Sequence, residues 1–277
     1  MVAQLPVRAP GGRGTPRPYN SGVSTGTYAF GRDGVAAARL RLLHEVFAPT
    51  SRQLLQEVSR LRQFQRVLDL GCGPGLTTGL LQELMEPDRL AGIDLGAAFL
   101  DMARHAVPDA TFFEHDLLSL PFPGAPVDLM YARYVLTHLP DPGRRLEEWA
   151  TQLGPDGLIV LEDNERVDAG VPVFARYLEI AGQVIASGGG DLYLGRALDE
   201  GRFRPVIDHV RHVTPPTQLV ARMFRLNLSS WRDRPAALPH RDELHVIDGE
   251  LRRLETAPGE GTITWRMRQL ALAARPR

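Results

Sequence analysis

The chain has 277 residues, 43% of them hydrophobic, which is enough to bury a sizeable core in one α/β domain with an appendage. A formal net charge of −1 supplies no bulk positive field to hold a phosphate polymer, so nucleic acid is not expected as a partner. Every basic side chain other than histidine is arginine, which excludes lysine Schiff-base chemistry and a Walker-type phosphate loop, since both need an ammonium group.

Residues 1–26 carry Pro, Gly, Arg, Ser and Thr with little apolar content, and a disordered tail is expected there. Apolar residues at helical spacing predict a helix over 35–47 and, after Pro49, a second one to about 61. Residues 27–64 are therefore read as a helical cover. From Arg66 the pattern alternates: strand 66–70, helix 76–86, strand 89–94, helix 96–106, then strands 111–115 and 126–131. Short connections between such elements indicate a parallel sheet covered on both faces. Asp141-Pro142 opens a helix that Gly154-Pro155 closes, and the strand over 158–161 ends in Glu162-Asp163-Asn164.

An amphipathic helix is predicted over 171–187, broken by Gly188, Gly189 and Gly190 before a further short helix. Strands follow at 206–213 and 262–272, the latter with Ile263, Trp265 and Met267 alternating with Thr264, Arg266 and Arg268. Residues 65–277 then form one α/β domain, with helical stretches at about 165–204 and 216–255 expected to cover a substrate. Met223, Phe224 and Trp231 suit a small, partly apolar acceptor.

The most informative stretch is Val67-Leu68-Asp69-Leu70 followed by glycines at 71, 73 and 75. A chain that leaves a strand and turns directly into a helix needs left-handed backbone, and bare backbone there lets a ligand approach. Dinucleotide-binding loops read G-x-G-x-x-G, and Leu76 stands where the last glycine would be, which disfavours a nicotinamide oxidoreductase. Asp94, at the end of the next strand, is an acceptor-only group able to take two ribose hydroxyls.

Asp69-Leu70-Gly71-Cys72-Gly73-Pro74-Gly75, Gly92-Ile93-Asp94-Leu95 and His115-Asp116-Leu117 occur in that order at strand ends. Together they resemble the three successive cofactor motifs of the class I S-adenosylmethionine (SAM)-dependent methyltransferases. The resemblance is good over 66–164, weaker to 213 and thin beyond. It implies a Rossmann-like, mostly parallel seven-stranded sheet in the order 3-2-1-4-5-7-6, with the last strand antiparallel. SAM is the implied cofactor, with the ribose on Asp94, the adenine amino group on Asp116 and the adjacent ring nitrogen on the Leu117 amide. The methionine amino group would meet Asp69 and the Gly71 carbonyl, and Tyr28 would lie near the methionine end. Cys72, Gly73, Leu95 and Arg133 complete the implied cofactor site.

The motifs are similar to those of quinone-biosynthetic and bacterial natural-product methyltransferases, which implies a small-molecule acceptor and O-, N- or C-methylation in secondary metabolism. The loop 131–140 lacks the Asn/Asp-Pro-Pro-Tyr type motif of base-methylating enzymes. Met130 and Tyr131 stand where metal-dependent relatives place an acidic ligand, so no metal is expected. A catalytic base is optional for attack on a sulfonium, and the candidates are His138 and Asp163. Each also has a structural alternative: His138 packed under the following helix, Asp163 as a cap or an ion pair with Arg166 or Arg133. A protein of this fold that binds SAM but catalyses a non-methylating reaction would keep the same motifs. The single cysteine, Cys72, rules out an intramolecular disulfide framework, and no apolar run approaches the roughly 18 residues of a membrane span. A cytoplasmic protein without membrane partners is expected, with homo-oligomerisation left open.

Overall fold

A computed structural model describes residues 34–194, 203–257 and 261–274. The expected tail, Tyr28 and the short helix after the glycine triplet lie outside them. The centre is strand β1 (Arg66–Leu70), flanked in parallel by β2 (Arg89–Asp94) and β4 (Val127–Arg133). Buried on both faces, β1 reads as a nearly continuous apolar run, with Leu68 and Leu70 facing one core and Val67 the other. Beyond β2 lies β3 (Thr111–Glu114), and beyond β4 lies β5 (Leu153–Ala169), both parallel to their neighbours.

The remaining strands, β6 (Phe203–Val213) and β7 (Ile263–Ala274), complete the order β3-β2-β1-β4-β5-β7-β6, and β7 runs antiparallel to both β5 and β6. This is the topology that the resemblance implied. Helices α2 (Leu76–Met85), α3 (Ala97–Ala106) and α4 (Pro142–Ala150) connect the strands. The Asp141 side chain accepts from the Arg144 N–H at the start of α4, with Pro142 at its first position.

Two expectations need correction. The helices read on either side of Pro49 are one helix, α1 (Gly34–Ser59). Proline removes one internal hydrogen bond, but the Thr50 hydroxyl donates to the Phe47 carbonyl at 2.9 Å, and Phe47, Leu54, Leu55 and Val58 are buried on both sides of the interruption. Tertiary burial therefore outweighs the local break. The strand read as ending before Asp163 instead continues through it to Ala169, because β7 pairs with it residue by residue, with one irregularity between Asn164 and Arg166.

Helices α5 (Pro172–Ala186), α6 (Thr217–Trp231) and α7 (Arg241–Thr256) share a second core with Trp265 and Met267 of β7. Tyr177 stacks on Phe224 with centroids 4.1 Å apart, and Phe47 of α1 meets Trp265 edge-on at 5.7 Å. Helix α1 thus ties the sheet to the appended helices across the carboxyl ends of the strands. Among the described residues no helix is long and apolar enough to cross a membrane.

Candidate active-site cleft

A cleft of roughly 880 Å³ opens above the carboxyl ends of β1, β2 and β4, where an open α/β sheet places its ligands. Its floor is the loop between β1 and α2. Gly71, Gly73 and Gly75 have φ of +64°, +52° and +82°. A Cβ on Gly71 would meet Val135 at 2.8 Å, and one on Gly75 would meet the Ala103 backbone at 3.0 Å, so α3 packs against bare backbone there. The Cys72 N–H donates to the Ile93 carbonyl at 3.0 Å, fixing the loop to β2.

Asp94 closes this loop from the side. Its Oδ2 accepts from the Gly73 N–H at 3.0 Å and its Oδ1 from the Gly96 N–H at 2.7 Å. These two loop bonds fix the orientation of the carboxylate, which lines the cleft. Leu95 lines the cleft beside it.

The next loop is built in the same way. The His115 N–H donates to the Asp94 carbonyl at 3.1 Å, and the Asp116 Oδ1 accepts from the Leu118 N–H at 2.9 Å, leaving the other oxygen of Asp116 outside that turn. The indole of Trp149, fully buried in α4, donates to the Leu117 carbonyl at 3.2 Å. Asp116 and Leu117 both line the cleft, and Trp149 is the part of this arrangement that the sequence did not announce.

Asp69 lies beneath the cleft and is not among its lining residues. Its Oδ2 accepts from the hydroxyls of Thr77 and Thr78, each at 2.7 Å, so the carboxylate pins the first turn of α2 under the glycine loop. Burial raises its pKa to about 6, against the lowering effect of both hydroxyls and of Arg133. Arg133 lines the cleft, held from behind by bonds to the Ser51 hydroxyl at 3.0 Å and His44 Nδ1 at 3.2 Å. Burial, then the charges of Arg133 and Arg52, lowers the His44 pKa to about 4, so at neutral pH its Nδ1 is an acceptor.

Asp163 was expected at the crevice, and the structure contradicts that placement. It is 1% exposed inside β5 and does not line the cleft. Its Oδ1 accepts from the Thr137 hydroxyl at 2.6 Å, while its Oδ2 is buried without a hydrogen bond. Burial raises its pKa to about 7, with Glu162 adding to the shift and Thr137 opposing it. The continuation of β5 turns Asn164, not Asp163, to the cleft. His138, in a turn of 3₁₀ helix at Leu136–His138, does line it. Burial, with the charges of Arg39 and Arg234, lowers its pKa to about 3.

Tyr134 holds left-handed backbone at φ +57°, unusual for an aromatic residue. Its N–H donates to the Glu162 carbonyl at 2.9 Å, and its ring meets Phe47 edge-on at 5.3 Å, which holds the chain at the cleft wall. The rest of that wall comes from afar: Arg39 of α1, Tyr177 of α5, Asn227 of α6 and Arg234 after it. No local motif marks these four. Among the described residues no group of three or more His, Cys, Asp or Glu side chains is arranged to hold a metal ion.

Residues 68–161, the strands and loops that build the floor, match the family described as Methyltransferase domain. Over 112 residues the chain is 39% identical to trans-aconitate 2-methyltransferase of Azoarcus sp. (strain BH72), covering 40% of this chain and 44% of that protein. Over 117 residues it is 35% identical to trans-aconitate 2-methyltransferase of Escherichia coli (strain K12 / DH10B), covering 42% and 46%. The match thus spans less than half the length of these relatives.

Among solved structures, the 4+2 cyclase SpnF overlays with a TM-score of 0.52 at 18% identity, over 82% of each chain. Coclaurine N-methyltransferase, bound to N-methylheliamine and SAH, overlays with a TM-score of 0.50 at 14% identity, over 81% of this chain and 72% of that one. Likeness at this identity shows the fold alone, a fold that these proteins use for different reactions.

Proposed function

We propose that the chain is a SAM-dependent methyltransferase acting on a small molecule, in bacterial secondary metabolism, a reading supported by the match of residues 68–161 to the methyltransferase-domain family. The observation that carries this reading is the joined pair of loops: Asp94 anchors the Gly73 amide through its side chain and the His115 amide through its carbonyl. One residue therefore orients both loops that would frame an adenosine.

The residues present fit the cofactor. The ribose hydroxyls would be held by Asp94, the adenine edge by Asp116 and the Leu117 backbone, and the amino-acid end by the Gly71 backbone and Arg133. Gly73 leaves a cradle in which, among the described residues, an added Cβ would meet only the Leu40 side chain, at 3.5 Å. Asp69 contributes by holding α2 and the glycine loop in place. Bound SAM would supply an electrophilic methyl group on a sulfonium. The chain's own contribution is positioning and exclusion of water, since Asp163 lies outside the cleft and His138 is a very weak base.

The test is native mass spectrometry of the purified protein in the presence of SAM, S-adenosylhomocysteine and NAD. One equivalent of either adenosyl ligand and none of NAD is expected. Retention of NAD with no adenosyl adduct would overturn the reading.

A further inference from the structure

Arg133 of β4, Glu162 of β5, Gln269 of β7 and His209 of β6 are successive cross-strand partners, so they form one polar row across the sheet. Helix α1 covers this row: its Thr50 carbonyl accepts from Gln269 at 3.1 Å, and its Glu57 meets His209 at 2.7 Å. We propose that the row positions the amino-acid end of the cofactor, with Ser51, Tyr131, Glu162 and Gln269 holding the Arg133 guanidinium where it takes the cofactor's carboxylate. This rests on the methyltransferase reading above.

Three observations support the assignment. The row begins at the cleft: Ala132 pairs with Leu70 at the ends of β4 and β1, which sets the next residues, Arg133 and Gly71, side by side, and both line the cleft. Next, the bonds run one way, from cation to carboxylate. Arg133 Nη1 donates to the Ser51 hydroxyl at 3.0 Å, Ser51 bonds to the Tyr131 hydroxyl, and Tyr131 donates to Glu162 Oε1. Gln269 donates to Glu162 Oε2 at 2.6 Å, and its own oxygen accepts from Arg211 at 3.4 Å, which fixes the orientation of the amide. Finally, Ser51, Tyr131, Glu162 and Gln269 are fully buried, beside the apolar Leu129, Val160 and Ala271.

Buried charged and polar groups add little stability over well-packed apolar side chains of similar volume, so a buried row of them serves another end. Here that end is orientation. Successive bonds of a one-way chain polarise one another, and burial, with the charge of Glu162 adding to it, keeps the Tyr131 pKa well above its ordinary value, so the hydroxyl remains a donor. His44 Nδ1 takes another N–H of Arg133 at 3.2 Å. A guanidinium is a rigid fork of donors that matches a carboxylate, and one already held in place loses little rotamer freedom when the ligand arrives.

The test is calorimetric titration of the full chain with two ligands: S-adenosylhomocysteine, and methylthioadenosine, which keeps the nucleoside and lacks the amino-acid end. In the wild type S-adenosylhomocysteine should bind about tenfold or more tightly, because the smaller ligand makes no charge-assisted bond to Arg133. Arg133→Gln should remove most of that advantage. Glu162→Gln and Ser51→Ala, which leave Arg133 in place, should each reduce the advantage by about threefold or more while methylthioadenosine binds as in the wild type. Neither should add to the loss already caused by Arg133→Gln, as expected of residues that act through it. Ser51→Ala removes a single hydroxyl and decides alone should Glu162→Gln fail to fold. Equal or tighter binding of methylthioadenosine by the wild type, an unchanged ratio of the two affinities in either variant, or an equal loss for both ligands would each overturn the inference. A wild type that binds neither ligand is a different result: it removes the methyltransferase reading, and this inference with it.

Discussion

On the β1–β3 side the cleft is lined by backbone and short side chains at strand ends, whereas on the β4–β5 side it is lined by long side chains arriving from α1, α5, α6 and the turn after α6. The first side is locally encoded: Asp94 bonds to Gly96 two residues on, and the glycines set the turn by their own φ angles. The second side is encoded only by tertiary packing, since Asn227 meets Tyr177 across fifty positions of sequence. A fixed frame for one ligand and an assembled wall for another can therefore vary independently, and substitutions should separate them.

The largest effect is expected from breaking the frame. Gly75→Ala imposes left-handed backbone on a residue with a Cβ and drives that atom toward the Ala103 backbone. Overpacking costs about 1 to 3 kcal/mol and the left-handed conformation about 1 to 2 more. Denaturant unfolding should show the loss in full, together with lost binding of S-adenosylhomocysteine. Unchanged stability would mean that α3 does not sit against this loop.

The wall is sharpened by Tyr177→Phe. The Asn227 amide donates to the Tyr177 hydroxyl at 2.6 Å, and removing that acceptor leaves a buried donor unsatisfied, at about 1 to 3 kcal/mol. Stability should drop while S-adenosylhomocysteine affinity holds. Equal damage to both would show that the two sides are coupled.

Asp163 yields a smaller, pH-dependent effect. Its folded pKa of about 7 lies above the ordinary carboxylate value of 3.8, so between those values the folded protein holds a proton that the unfolded chain has lost. Its contribution to stability is therefore full below about pH 4 and falls as pH rises toward 7. Asp163→Asn should flatten that decline and leave the protein about 1 kcal/mol or more steadier at pH 8. His138 has the opposite sign: its pKa is lowered, so stability falls as pH drops from about 6.5 toward 3. Chemical unfolding at several pH values reads both. A slope that Asp163→Asn leaves unchanged would mean that the carboxylate is not buried as described.

The smallest effect belongs to His138→Gln, expected to reduce kcat less than about tenfold, because a group with a pKa near 3 accepts protons poorly at neutral pH. A loss of about a hundredfold or more in single-turnover rate would restore His138 as a base.

A parallel α/β sheet was legible because strand-loop-helix alternation and glycine turns are written in neighbouring residues, whereas the order of its strands came only from the resemblance to a known family. The continuity of α1 through Pro49 was not, since burial of Phe47 and Leu54 against distant partners decided it. Nor was the reach of β5: strand pairing with β7 carried Asp163 inward and presented Asn164 to the cleft. For the candidate cleft, Asp94 could be read from its place at a strand end and Gly73, Leu95 and Asp116 from the resemblance, and all four line the cleft. Trp149, Arg39 and Arg234 could not be read, because each acts on a loop or cavity formed by other parts of the chain.

The most direct measurement of the central claim, that a locally built frame around Asp94 holds the adenosyl cofactor, is calorimetric titration of S-adenosylhomocysteine into the wild type and Asp94→Ala. Saturation at one site is predicted for the wild type. In a folded variant, affinity should be weaker by at least about tenfold, since charge-assisted bonds of about 1.5 to 3 kcal/mol each are lost. Equal affinity in the two proteins would contradict the account.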